Sequence, residues 1–217
     1  MSTPGGHNRR PPPGAFNLRA LGPEPDGATP LEEEDLVDLI PEFVATRGDL
    51  NVVEFDNITK AMPWALNQAR RGRAELVLDY SFLFALHRRM FQDVWKWAGT
   101  QRRRITNIGV EPAQIVTLTK QTLDDAIYWH DNRVFDIDER AARIHRRLVA
   151  VHPFPNGNGR CTRLLADLYL TASGHPIFTW GAGGSLGEDG DARRRYVEAL
   201  RAADGDDYGP LVAFVRA

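Results

Sequence analysis

The nine residues HPFPNGNGR, from His152 to Arg160, interrupt two helical patterns. Before them, Ala141, Ile144, Leu148 and Val151 recur three or four residues apart; after them, Cys161, Leu164, Leu165 and Leu168 do the same. Each set falls on one face of an α-helix. Between them the prolines stop the first helix, and the NGNG tandem supplies residues that accept positive φ, so the chain turns sharply. Two helices joined by a tight loop follow from this composition. As a plain connection the loop explains Pro153, Pro155 and Gly157, but not His152, Arg160 and Arg163. The start of the second helix offers unpaired N–H groups and a partial positive charge. Glycines at 157 and 159 let an anion come close to the backbone. Arg160 and Arg163, at i and i+3, project to one side as forks suited to phosphate oxygens. His152 can take a proton near neutral pH. The spacing therefore favours a base beside a phosphate cradle.

Helical signals dominate elsewhere. LEEEDLVDLI carries a leucine stripe with acids near its start, and SFLFALHRRMFQDVWKWAG (Ser81–Gly99) spaces Phe82, Leu86, Met90, Val94 and Trp97 at helical intervals, with Gly99 as its stop. TKQTLDDAIYWH and the C-terminal RRRYVEALRAAD and YGPLVAFVRA read the same way. Pro63 is expected to break or start a helix, and Asp136 with Glu139 has capping-box spacing. The exception is Gln101–Ile115, whose short extended runs predict a small hairpin. The expected fold class is all-α with one minor β element. Residues 1–30 hold half of the chain's 14 prolines, so a disordered leader is expected there.

With 27 basic against 29 acidic residues the net charge is -2, which gives no global electrostatic case for nucleic-acid or anionic-membrane binding and leaves open only a local basic patch. The single cysteine, Cys161, excludes an internal disulfide, and no secretory signal or membrane span is legible, so a cytoplasmic protein is expected. Cys161 reads as a core residue, His145 as a packed or rim residue, and His87 and His130 as surface residues. QRRRIT reads as a solvated strand face. GAGGSLGEDG lacks the GK[ST] ending of a phosphate loop and reads as a connector.

HPFPNGNGRCTR closely resembles the signature of the Fic (Fic/DOC) family: His-Pro-Phe-any-acid-Gly-Asn-Gly-Arg, then a second Arg three residues on. MFQDVWKWAGTQRR, IHRRLVAVHPF, SGHPIFTW and RRRYVEALRAAD are similar to further segments of that family. Residues 31–61 resemble the subgroup called mobile mystery protein B, often encoded beside a small helix-turn-helix protein. The resemblance implies a Fic-type helical bundle, with a helical extension over residues 31–75 and a catalytic domain over 76–217. It implies transfer of AMP from ATP, with Mg2+, to a Ser, Thr or Tyr hydroxyl in an extended segment of a target protein. Carried over, His152 is the general base and Phe154 anchors the loop. Gly157, Asn158 and Gly159 form an anion hole, and Arg160 and Arg163 hold the β- and γ-phosphates. Asn156 stands where the metal-binding carboxylate belongs. The hairpin becomes a target-docking flap that includes Arg104, Ile105 and Thr106. Members of this family are often restrained by an inhibitory helix. The nearest upstream match, ATRGDLN, offers Asp49, expected to face Arg163; SLGED with Gly190 is a rival.

Asn156 is a departure, because a neutral amide is a weaker magnesium ligand than a carboxylate. It keeps alive a second reading, a catalytically weak binding module acting with a helix-turn-helix partner. A Doc-like kinase is a third; Gly159 disfavours it, since such kinases carry Lys at that position.

Overall fold

The computed structural model describes residues 29–31, 33–182, 186–187 and 190–217. Most of the expected leader, and parts of GAGGSLGEDG and of its SLGED match, lie outside the described residues. The order is α1 (Glu33–Leu36), α2 (Arg47–Ala69), α3 (Ala74–Val77), α4 (Tyr80–Phe91), a 3-10 turn (Pro112–Gln114), α5 (Ile115–Asp131), α6 (Ile137–Val151), α7 (Asn158–Ala172), α8 (Asp191–Asp204) and α9 (Gly209–Arg216). The described residues thus form a helical bundle, as the periodicity predicts, and contain no strand; an isolated bridge pairs Leu39 with Trp95. None of these helices is long and apolar enough to cross a membrane.

Helix α7 is the axis of the bundle and packs against α2, α3, α4 and α6. Cys161, Leu165, Leu168 and Tyr169 are fully buried along it, and Ile144 and Leu148 of α6 meet them in one continuous apolar core. That core runs from Leu31 to Val215, so the residues expected as an N-terminal extension share it. Stopping α6 against α7 in this way fixes where the HPFPNGNGR loop emerges.

Several local expectations change in the folded chain. Pro63 lies inside α2, which runs through it for 23 residues. An interior proline costs about 3 kcal/mol through a lost hydrogen bond and a ring clash. The packing of this helix offsets that penalty. Ala61, Ala65 and Ala69 are buried, Trp64 stacks on Phe82 at 5.3 Å, and Arg89 lies over the Trp64 ring at 4.4 Å. Asp136 precedes α6 without a side-chain cap, and Glu139 bonds Arg143 at 2.8 Å, so the expected capping box does not form. The predicted hairpin is an irregular loop leading into the 3-10 turn. Its carbonyls are bonded by a guanidinium, described below, rather than by a partner strand.

Asp49 also departs from expectation. Thr46 caps α2, and the Asp49 carboxylate folds back to accept from the backbone N–H groups of Ala45 (3.1 Å) and Thr46 (2.9 Å) and from the Thr46 hydroxyl (2.9 Å). Those bonds hold its pKa below the ordinary value, the Thr46 hydroxyl first among the causes. This is a reciprocal capping box, so the carboxylate is spent on the helix start and does not face Arg163. Asp49→Ala is therefore expected to lower the thermal midpoint modestly and leave nucleotide affinity unchanged, measured by thermal melts and calorimetric titration; a tighter nucleotide would contradict the capping assignment.

Candidate active site

His152 ends α6 in the left-handed region, with φ 55 and ψ 61, and its N–H donates to the Leu148 carbonyl at 3.0 Å. Pro153 forbids a further helical turn at this point. A non-glycine residue held there costs about 1–2 kcal/mol, and Arg102 supplies the restraint. Its Nε donates to the His152 carbonyl at 2.6 Å, Nη2 to the carbonyls of Val151 (3.4 Å) and Val110, and Nη1 to that of Arg104 (2.8 Å). Its backbone N–H adds a bond to the Pro153 carbonyl at 3.0 Å. One buried guanidinium, 1% exposed, thus ties the 101–111 loop to the end of α6, where its charge also complements the helix dipole. Arg102 is therefore buried rather than on the expected solvated face, and nothing in QRRRIT distinguishes it from its neighbours.

The same fold sets the proton on His152. Its Nδ1 sits 3.2 Å from the Val149 carbonyl, which only accepts, so Nδ1 carries the hydrogen and Nε2 is left bare. Nε2 then accepts from the Thr29 hydroxyl at 2.7 Å. Burial, and after it the charge of Arg102, push the His152 pKa down to about 4, so the ring is neutral at physiological pH.

Phe154 and Asn158 lock the loop behind it. The Phe154 ring is fully buried, 3.7 Å from and stacked on His87 and 4.9 Å edge-on to Phe84. Asn158 closes the turn through its side chain, which accepts from the Phe154 N–H (2.9 Å) and donates to the Phe154 carbonyl (2.8 Å). His87, expected at the surface, is fully buried. Its Nδ1 accepts from the Gly99 N–H at 2.9 Å, leaving Nε2–H to donate to the Asn156 carbonyl at 3.0 Å. Gly157 stands at φ 75, and a Cβ there would come within 2.7 Å of the Phe91 ring, so only glycine fits. His145 is buried and packed as expected, with Nδ1 3.0 Å from the Thr162 hydroxyl and Nε2 2.8 Å from that of Tyr196. His130 is half-buried, 3.2 Å from the Tyr169 hydroxyl, and Cys161 lies in the core.

In front of the loop lies a cleft of about 1060 Å³, lined by Thr29, Glu54, His152, the whole Asn156–Arg160 turn, Arg163 and Tyr196. Helix geometry points the first N–H groups of α7 toward this space. The two arginines have different surroundings. Arg160 pairs with the buried Glu54 carboxylate and lies over Phe91 at 4.9 Å, while Glu54 also accepts from the Trp95 indole at 2.8 Å. Arg163 reaches the Tyr196 hydroxyl at 3.5 Å and lies over the rings of Tyr196 (5.7 Å) and Trp180 (6.0 Å). The carboxylate that meets the motif is therefore Glu54, one residue in the buried stripe Leu50, Glu54, Asn57, Ala61 of α2. An acid on an otherwise buried helical face was the signal that could have identified it. Arg104 pairs with Asp35, Ile105 is 70% exposed, and the Thr106 hydroxyl donates to the Ile108 carbonyl at 2.6 Å.

The residues present do not fit a protein-held magnesium ion. The Asn156 amide oxygen accepts from the Gly157 N–H at 2.6 Å and its nitrogen donates to the Thr29 carbonyl at 3.3 Å. No grouping of three or more His, Cys, Asp or Glu side chains suited to a metal occurs among the described residues.

Buried histidines make stability sensitive to acid. Burial pushes His87 to about 3 and His152 to about 4, and holds His145 well below its ordinary 6.5. Unfolded, each takes its proton near 6.5, so the stability present above that pH is lost as pH falls toward 4. Asp167 works in the opposite sense: burial raises it to about 6, so the folded chain gains a proton that the unfolded one does not yet hold. The net excess is about two protons in the unfolded state. Stability should drop by roughly 3 kcal/mol per pH unit below about pH 6, read from urea midpoints between pH 7 and 5; a flat profile would show that these rings are not buried neutral.

Residues 77–170 match the model of the Fic/DOC family. The chain is 30% identical over 168 residues to the probable protein adenylyltransferase y4lH of Sinorhizobium fredii, covering 69% of this chain and 78% of that protein. It is 37% identical over 98 residues to the protein adenylyltransferase fic-1 of Caenorhabditis elegans, across 44% of this chain but only 18% of the nematode protein. Among solved structures, the N-terminal Fic domain of a cell filamentation protein from Bartonella quintana, with bound ADP, superposes with a TM-score of 0.60 at 17% identity, covering 80% of this chain and 86% of that one. By its matched region, and by a relative covered over most of its length, the chain belongs to the Fic/DOC family.

Proposed function

We propose that the cleft binds a nucleoside triphosphate and that the protein transfers the nucleoside monophosphate, AMP from ATP, to a hydroxyl of a protein target. The observation that carries this reading is the bare Nε2 of a neutral His152, hydrogen-bonded to a hydroxyl at 2.7 Å on the rim of a cleft that Arg160 and Arg163 also line. The relatives named protein adenylyltransferase support it, as does the ADP held by the Bartonella domain.

In this mechanism His152 takes the proton of the attacking hydroxyl, with Nδ1–H kept on the Val149 carbonyl so that only Nε2 is available. The first N–H groups of α7 and Arg163 hold the phosphates, and Arg160 joins them as it exchanges its Glu54 partner for phosphate oxygen. Phe154 and Asn158 keep the loop from shifting between ground and transition states, which suits a reaction catalysed mainly by positioning and charge neutralisation. The 104–106 stretch, with Ile105 exposed, is the proposed docking edge for an extended target segment. The likeness of residues 31–61 to mobile mystery protein B adds a small helix-turn-helix partner to the proposal, tested by co-expression and co-purification.

Incubation with a cell lysate and ATP labelled at the α or γ position tests the reading. Protein label from α alone is expected; label from γ alone would mean a kinase, and label from neither a binding module. Any magnesium would arrive with the phosphates, because this chain offers a neutral Asn156 whose oxygen is already engaged. Asn156→Asp is expected to lower the magnesium concentration needed for half-maximal transfer, read from a metal titration. A higher requirement in the variant would overturn the assignment of this position.

A further inference from the structure

The hydroxyl on His152 belongs to the chain itself. Thr29 is buried against the motif loop, although it lies 123 residues away in sequence. Its Oγ is 2.7 Å from Nε2, and its carbonyl accepts from the Asn156 side chain at 3.3 Å. The next residues pin this placement. Leu31 is buried in the core, and Asp35, within the short helix α1, pairs with Arg104 at the edge of the 101–111 loop. Thr29 is thus held by the motif loop, and Asp35 by the 101–111 loop. Thr29 also lines the cleft that holds Gly157, Gly159, Arg160 and Arg163.

We propose that Thr29 is an acceptor in cis: the protein transfers a nucleoside monophosphate to its own Thr29. This rests on the nucleotidyl-transfer reading above and names one substrate for it. The co-reactant is a ribonucleoside triphosphate bound in the cleft. The Thr29 hydroxyl gives its proton to His152 Nε2, and a lone pair on its Oγ forms a bond to the α-phosphorus. The bond from that phosphorus to the oxygen bridging to the β-phosphate breaks, and its electron pair leaves with pyrophosphate. The product is a phosphodiester on Thr29, with the proton on the imidazole released to solvent as the ring returns to its neutral form. A hydroxyl already hydrogen-bonded to the base needs no docking step, which removes the translational and rotational cost that an external target meets.

Modification in cis has a kinetic signature, because the labelled fraction then grows at a rate independent of protein concentration. The full chain is incubated with magnesium and α-labelled ATP at several protein concentrations, beside a lysate arm, and digested with trypsin. The peptide from Ala20 to Arg47 contains two hydroxyl residues, Thr29 and Thr46, which fragmentation distinguishes. Expected are label on Thr29, a concentration-independent rate, loss of that label in Thr29→Val and its retention in Thr29→Ser. Label on lysate proteins or on other residues of this chain, with Thr29 unmodified, would overturn the acceptor assignment and leave nucleotidyl transfer standing. Label on Thr29 at a rate that rises with protein concentration would overturn the cis step. No α-label on any protein would overturn both readings together.

Discussion

His152→Ala is expected to lower the rate of nucleotidyl transfer by about 10²–10⁴-fold, the usual effect of removing a positioned general base. The argument rests on which atoms the ring touches. Nδ1 is committed to the Val149 carbonyl and Nε2 to a hydroxyl, so neither nitrogen is engaged with a phosphate-binding group. Nucleotide affinity should therefore stay close to that of the parent, while substitution of Arg163 should weaken it. Labelled transfer under saturating ATP, paired with calorimetric titration of a non-hydrolysable analogue, separates the two effects. Turnover equal to the parent's would remove His152 from the mechanism. A large loss of affinity in the same variant would mean that the ring shapes the loop rather than taking a proton. The left-handed backbone at this position makes that control necessary, since alanine must hold the same φ of 55 without the ring's hydrogen bonds.

Phe154→Ala should reduce unfolding free energy by about 3–5 kcal/mol, the range for truncating a fully buried phenylalanine. The ring has no exposure and fills the space between His87 and Phe84, so its removal leaves a cavity lined by two aromatic rings. Relaxation into that cavity is limited. His87 is held at both nitrogens, by Gly99 and by Asn156, and the Phe154 backbone is clasped by the Asn158 amide. Phe154→Leu, which keeps most of the apolar volume, should lose clearly less. Urea denaturation at pH 7 measures both. A loss below about 1 kcal/mol for the alanine variant would be inconsistent with a ring anchored in a close-packed interior. Transfer activity is expected to fall in parallel, because Asn156 and Gly157 lie on the stretch that the ring fixes.

Helix α4 was legible only as far as Phe91, because Val94 and Trp97, which continue the same spacing, lie in turns where Trp95 bridges Leu39. Helices α6 and α7 were legible because their apolar faces repeat at three and four residues, and burial of such a face is the dominant local constraint on a helix. The loop between α6 and α7 was legible for the same reason. Its functional groups are contiguous, so turn chemistry and helix geometry place His152, Gly157, Arg160 and Arg163 together without knowledge of the rest of the chain.

Four side chains that complete the site came from elsewhere, and of these only Glu54, an acid on an apolar helical face, leaves a signal in its sequence context. Thr29 and Glu54 reach the motif across 123 and 106 residues, and Arg102 and His87 across 50 and 69. An arginine in QRRRIT reads as solvated until a helix end with orphaned carbonyls is packed against it. A carboxylate at position 49 reads as a reach toward arginine until Thr46 is seen to satisfy it locally. The hairpin failed in the same way, since short extended runs do not say whether a strand or a guanidinium will take up their backbone groups. Pro63 marks the limit in the other direction: a local breaker was overruled by packing along the whole length of α2. Sequence by itself determined the helices and the motif, because period and turn chemistry act over a few residues. Only the tertiary structure decided the partner of Arg160 and the hydroxyl on the base, because each depends on a buried polar group finding its complement at long range.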